Sequence, residues 1–149
     1  MNGLLSFLDL IITILGVITI VYQVGIVIVG MLVKPQTFRD VPQNRRYAVL
    51  ISARNEEAVI GNLIRSIHNQ TYPQELIDTW IVADNCTDNT AQLARSLGCH
   101  VIERFNQTQV GKGYALQYLL RTMMATGDAK NYDAFFIFDA DNLLDKNYI

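Results

Sequence analysis

The hydrophobic positions change period as the chain proceeds. From Leu4 to Val33 they form an almost unbroken run with one charged residue, Asp9. About 20 apolar residues suffice for a helix to cross a bilayer. The run therefore predicts a transmembrane helix over 4–33, behind a short tail at 1–3. A cleaved signal peptide fits less well. It needs a basic start and a shorter apolar core, and no Lys or Arg precedes the run. Residues 34–46 are polar, contain Pro35 and Pro42, and read as a linker.

From Tyr47 the pattern alternates between two periods. Short β-rich apolar runs over Tyr47–Ser52, Asp78–Asp84, His100–Glu103 and Asp133–Phe138 predict buried strands. Between them lie stretches with apolar residues at helical spacing. Glu56–Gln70 has Val59, Ile60, Leu63, Ile64 and Ile67, with Asn55 at the position of an N-cap and Tyr72-Pro73 as the stop. Asp88–Leu97 has Ala91, Ala94 and Leu97 and stops at Gly98. Gly113–Ala125 has Ala115, Leu116, Leu119, Leu120 and Met123. Alternating strand and helix imply an α/β domain with a mostly parallel sheet. Such sheets bind ligands outside the carboxyl ends of their strands. The polar clusters fall there: "SARNEE" after the first strand, "DNCTDNT" after the second and "DADN" after the fourth. "QVGKGYA" precedes the third helix of this part.

Charge adds an orientation. Lys34, Arg39, Arg45 and Arg46 follow the apolar run, so the positive-inside rule places the remainder in the cytoplasm. The net charge of −2 points away from nucleic acid as a partner. Cys86 and Cys99 lack metal-ligand spacing, and two free thiols in a reducing compartment account for them.

The chemistry sits in the clusters. Asp139 and Asp141 repel each other unless a cation lies between them or one is protonated. A hard cation takes one or two carboxylates and leaves its other positions to phosphate and water. A solvated Asp-rich turn is the plainer alternative. Asp84 is a candidate acceptor for a base or ribose, while Thr87 or Asp88 can cap the next helix. Lys112, between Gly111 and Gly113, suits a phosphate, although the P-loop spacing is absent. Glu56 or Glu57 can support a helix N-terminus. His68 and His100 read as surface or packing residues.

In order, "LISARNEEAVIGNLIRSIHNQTYP", "IVADNCTDNTAQLA", "GKGYALQYLL" and "FFIFDADN" resemble the nucleotide-binding half of the family 2 inverting glycosyltransferases of GT-A fold. The resemblance covers 47–149 and, with the helix before it, is similar to membrane-bound members, including polysaccharide synthases. It implies transfer from a nucleotide sugar of UDP type to a glycan or lipid acceptor at the cytoplasmic membrane face, with Mg²⁺ or Mn²⁺. By the same resemblance Ala53, Arg54, Asn55 and Glu56 wrap base and ribose. Asp84 meets the base, Lys112 approaches the diphosphate or base, Asp139 faces sugar and diphosphate, and Asp141 coordinates the metal. Two departures leave the base and sugar open. Ala53-Arg54 stands where the family often has proline and a small or aromatic residue, and Asp84-Asn85-Cys86-Thr87 where it often has Asp-Asp-Gly-Ser. No position matches the family's downstream catalytic aspartate, and Asp145 is too near Asp141 for that role. The expectation is an N-terminal fragment or truncated product that holds donor. A tethered non-catalytic nucleotide-binding module stays open. So does a haloacid-dehalogenase-type phosphatase with Asp139 as nucleophile.

Overall fold

The computed structural model describes residues 2–34 and 42–149. Met1 and the stretch 35–41, with Pro35 and Arg39 of the expected linker, lie outside the described residues. The chain divides into two units, Met1–Asp40 and Val41–Ile149.

The first unit is one helix, α1 (Asn2–Leu32), of 31 residues. At 1.5 Å per residue it is roughly 46 Å long, more than a ~30 Å hydrocarbon core requires. Its apolar side chains are exposed all round, and by length and composition it could cross a membrane. It starts at Asn2, so the expected tail at 1–3 is largely helical.

The second unit runs β1 (Tyr47–Ala53), α2 (Ile60–His68), β2 (Ile77–Asp84), α3 (Thr90–Ser96), β3 (His100–Arg104), α4 (Lys112–Thr126) and β4 (Ala134–Asp139). Single 3₁₀ turns precede β2 and β4. The strands form a four-stranded sheet in the order β3-β2-β1-β4, with every pairing parallel. β1 lies between neighbours and under helices on both faces. Ala48, Val49, Leu50 and Ile51 are therefore all fully buried, which is why the run reads as continuously apolar.

Two cores flank the sheet. Val49, Ile51 and Ala53 of β1 meet Ile60, Leu63, Ile64 and Ile67 of α2 and Ala94 of α3. Ala48 and Leu50 meet Ala115, Leu119 and Met123 of α4, with Leu116 and Leu120 half-buried beside them. Fully burying one such aliphatic side chain stabilises by about 1.5–3 kcal/mol.

The strands begin and end close to the expected positions, but α2 starts at Ile60 rather than Glu56. Its N-cap position is Val59 rather than Asn55, whose φ of 56° is left-handed and incompatible with that role. α3 likewise starts at Thr90, not Asp88. Both shortened ends have one cause, the bonding between the loops described below.

Candidate functional site

The register of the sheet aligns the carboxyl ends of its strands. Ser52 stands opposite Asp139, Ala53 opposite Ala83, and Asp84 opposite Arg104. The chain goes from β1 outward to β2 and β3, then returns to place β4 on the other side of β1. Such a reversal opens a crevice at the strand ends. A cleft of about 260 Å³ lies there, lined by Ser52, Arg54, Glu56, Asp84, Gly111, Lys112, Asp139, Ala140 and Asp141.

The loops after β1 and β2 are bonded to each other. Thr87 donates its N–H to Asn55 Oδ1 at 2.8 Å. Glu56 donates its N–H to Thr90 Oγ1 at 2.8 Å, and Glu57 donates its N–H to Asp88 Oδ2 at 3.2 Å. In return the Glu57 carboxylate accepts from the Asn89 N–H and Nδ2. Glu57 thus serves the start of α3 rather than that of α2. Asp88 also accepts from the Thr90 hydroxyl and N–H. That hydroxyl bond is the main cause holding the Asp88 carboxyl below its ordinary value, followed by the backbone donors against some desolvation. Asn55 and Ala53 do not line the cleft: Ala53 is buried in the strand end, and Asn55 shapes the loop. Cys86 is held in this seam, accepting from the Asn55 N–H, and burial pushes its thiol up.

Asp84 is only 2% exposed. Its Oδ1 accepts from Arg104 at 2.5 Å and from Asn85 Nδ2 at 3.2 Å. Arg104 also donates to the Gln109 carbonyl at 2.7 Å, in the loop that leads to Gly111 and Lys112. Asn85, with a φ of 54°, ties that loop to β2 through the Asn106 backbone. Arg104 is absent from the sequence-based site. Its signal was its place as the last residue of a strand, level with the last residue of β2.

Gly111, with a φ of 126°, turns the loop into α4 in a conformation that side chains disfavour. Lys112 then opens α4 and donates to Asp139 Oδ1. β4 ends at Asp139, and a turn follows, closed by the Asn142 N–H on the Asp139 carbonyl at 3.1 Å. Asn142 Oδ1 in turn accepts the Asp139 N–H at 3.0 Å. The two aspartates therefore do not sit on one face of extended strand. The turn brings both to the cleft while Ala140 between them is buried. His68 and His100 are exposed, and His100 stacks on Trp80 at 4.4 Å between ring centroids.

The sequence model of Glycosyl transferase family 2 matches residues 48–149. The chain belongs to that family. With this the phosphatase reading of the Asp139 segment falls. A beta-monoglucosyldiacylglycerol synthase of Nostoc sp. is 34% identical over 99 residues, which are 63% of this chain and 20% of that protein. A 4,4'-diaponeurosporenoate glycosyltransferase of Staphylococcus aureus is 39% identical over 71 residues, 48% of this chain and 18% of that protein. The chain thus spans about a fifth of the length of the curated relatives it matches. Among solved structures, the mannosyltransferase PcManGT of Pyrobaculum calidifontis, in complex with GDP-Man and Mn²⁺, is 25% identical with a TM-score of 0.58, over 75% of this chain and 32% of that one. The glucosyl-3-phosphoglycerate synthase of Mycobacterium tuberculosis with Mn²⁺, UDP and phosphoglyceric acid is 26% identical with a TM-score of 0.50, over 67% of this chain and 34% of that one. S. aureus TarS 1–349, at 21% identity and a TM-score of 0.53 over 68% of this chain and 29% of that one, shares the fold. The second unit of this family member is thus of GT-A type.

The donor set suits a hard divalent cation. Asp139 and Asp141 offer two carboxylates on one cleft. Among the described residues no group of three His, Cys, Asp or Glu could hold a metal by itself. A Mg²⁺-like ion that keeps water and phosphate as its other ligands matches such a half-built site.

Proposed function

We propose that this glycosyltransferase takes a nucleotide-sugar donor, of UDP type, in the cleft at the ends of β1, β2 and β4. The observation that carries the reading is the convergence of Asp84, Lys112, Asp139 and Asp141, from three separate segments, on that one cleft. The complexes of the mannosyltransferase with GDP-Man and Mn²⁺ and of the glucosyl-3-phosphoglycerate synthase with UDP and Mn²⁺ support it. Asp141, with Asp139, holds Mg²⁺ or Mn²⁺ against the diphosphate, where the metal neutralises charge on the leaving group.

In this reading the Lys112–Asp139 ion pair is a stand-in. Both side chains are about half exposed, 47% and 56%, so the pair contributes only about 0–1 kcal/mol. A diphosphate can draw the lysine away and free Asp139 for the cation. Arg54 and Glu56 face the ribose side, and Asp84 faces the base. The acceptor is a glycan or a lipid, met at the cytoplasmic face of the membrane that α1 crosses. The names of the diacylglycerol and 4,4'-diaponeurosporenoate enzymes support the lipid arm.

Thermal unfolding with added ligand tests the site, since a ligand that binds only the folded state raises the melting temperature. UDP with Mn²⁺ is expected to raise it by more than UDP alone. Asp141→Ala is expected to remove the metal-dependent share and keep the rest. If neither UDP nor GDP shifts unfolding in the presence of Mn²⁺, the donor-site reading is wrong.

A further inference from the structure

We propose that Arg104 is a positioning residue that sets which nucleobase the cleft accepts, by fixing the aim of the Asp84 carboxylate. The inference rests on the donor-site reading above. It starts from a buried ion pair. Arg104 and Asp84 keep only 5% and 3% of their side-chain surface. A buried pair of this kind is weak evidence for stability, because desolvation offsets much of the attraction.

The geometry is directional. Arg104 bonds Asp84 with one nitrogen and the Gln109 carbonyl with the other, and its guanidinium lies 5.8 Å from the Tyr118 ring centroid. It cannot turn without breaking these contacts. On Asp84, Oδ1 accepts from both Arg104 and Asn85. Oδ2 receives no hydrogen bond from the described residues, yet no buried side-chain oxygen among them lacks a partner. Oδ2 is therefore the oxygen that reaches the cleft, which Asp84 lines.

An ion-paired carboxylate only accepts hydrogen bonds. Uracil presents a donor, N3–H, between its carbonyls. Guanine presents N1–H and an amino group. Cytosine presents N3 as an acceptor, which faces Oδ2 without a proton between them. A fixed acceptor thus selects uracil-type and guanine-type edges over cytosine. The selection needs the arginine, since it occupies Oδ1 and leaves Oδ2 aimed outward. Without it the carboxylate is free to rotate away from the base edge.

Calorimetric titration of the full chain in detergent micelles with Mn²⁺ reads this out, using UDP, CDP and N3-methyl-UDP. The wild-type protein is expected to prefer UDP to CDP and to N3-methyl-UDP by about tenfold or more, the cost of one unmade buried hydrogen bond. Arg104→Met is expected to bring the UDP-to-CDP ratio close to one. Arg104→Lys, which keeps the charge but cannot bridge Asp84 and the Gln109 carbonyl together, is expected to fall between. A merely structural arginine would weaken UDP and CDP alike and leave their ratio unchanged; that result in either folded variant overturns the inference. Should Arg104→Met not fold, Arg104→Lys decides the matter. Wild-type protein that binds UDP and CDP equally also overturns it. Wild-type protein that binds no nucleoside diphosphate with Mn²⁺ overturns the donor-site reading itself.

Discussion

Thr90 is fully buried, and its single hydroxyl serves two loops. It donates to Asp88 Oδ1 at 2.6 Å and accepts the Glu56 N–H at 2.8 Å. Thr90→Val keeps the shape but leaves a backbone donor without its acceptor, at a cost of about 1–3 kcal/mol. Urea unfolding is expected to show that loss, with Thr90→Ser close to the wild type. A Thr90→Val midpoint equal to the wild type would mean that the loops do not depend on this link. Residues such as Thr90 and Arg104 show where the sequence stops being legible. Their types and places in the elements can be read, but their partners come from other segments. Glu57 is similar: it looked like support for its own helix and instead caps the neighbouring one.

At the scale of elements the sequence was far more legible. The four strands and the helices between them follow from two apolar periods, because each element buries one stripe or face against the sheet. The ends of α2 and α3 were not legible, since they are set by the bonds between loops rather than by periodicity. The convergence of the polar clusters also followed from the parallel order, whereas the turn at Ala140–Asp141 did not. α2 depends on its stripe: Leu63, Ile64 and Ile67 are completely buried. Leu63→Ala is expected to lower unfolding stability by about 2–5 kcal/mol. Denaturant titration checks this, and a loss under 1 kcal/mol would show that the α2 interface can close over the cavity.

For the whole second unit, the far end of the sheet supplies an acid limit. Asp133 accepts the Arg46 N–H at 2.8 Å and pairs with the Arg45 guanidinium at 2.9 Å. The backbone bond, then the Arg45 bond, hold its carboxyl below the ordinary 3.8. Asp88 is lowered for the reasons given above. A carboxyl lowered by folding stabilises the fold while ionised. That contribution is complete above the ordinary value and fades as pH falls through the lowered one. Melting temperature is therefore expected to hold steady above about pH 5 and to drop below about pH 4. Asp133→Asn should flatten part of that drop. Cys99, buried and with its thiol pushed up to about 11, is expected to resist alkylation until the unit unfolds.

β4 is a different kind of feature at this scale. Among the described residues it pairs with β1 alone, and Phe135 and Ile137 on it are 39% and 51% exposed. A strand edge with free backbone donors and acceptors, beside an apolar face, is a template for another strand. A preparation of residues 42–149 by themselves carries that edge bare, so its loss from solution as aggregates is expected to rise with concentration. A charge at position 137, turned toward water on this face, would act as a gatekeeper against that growth without entering either core.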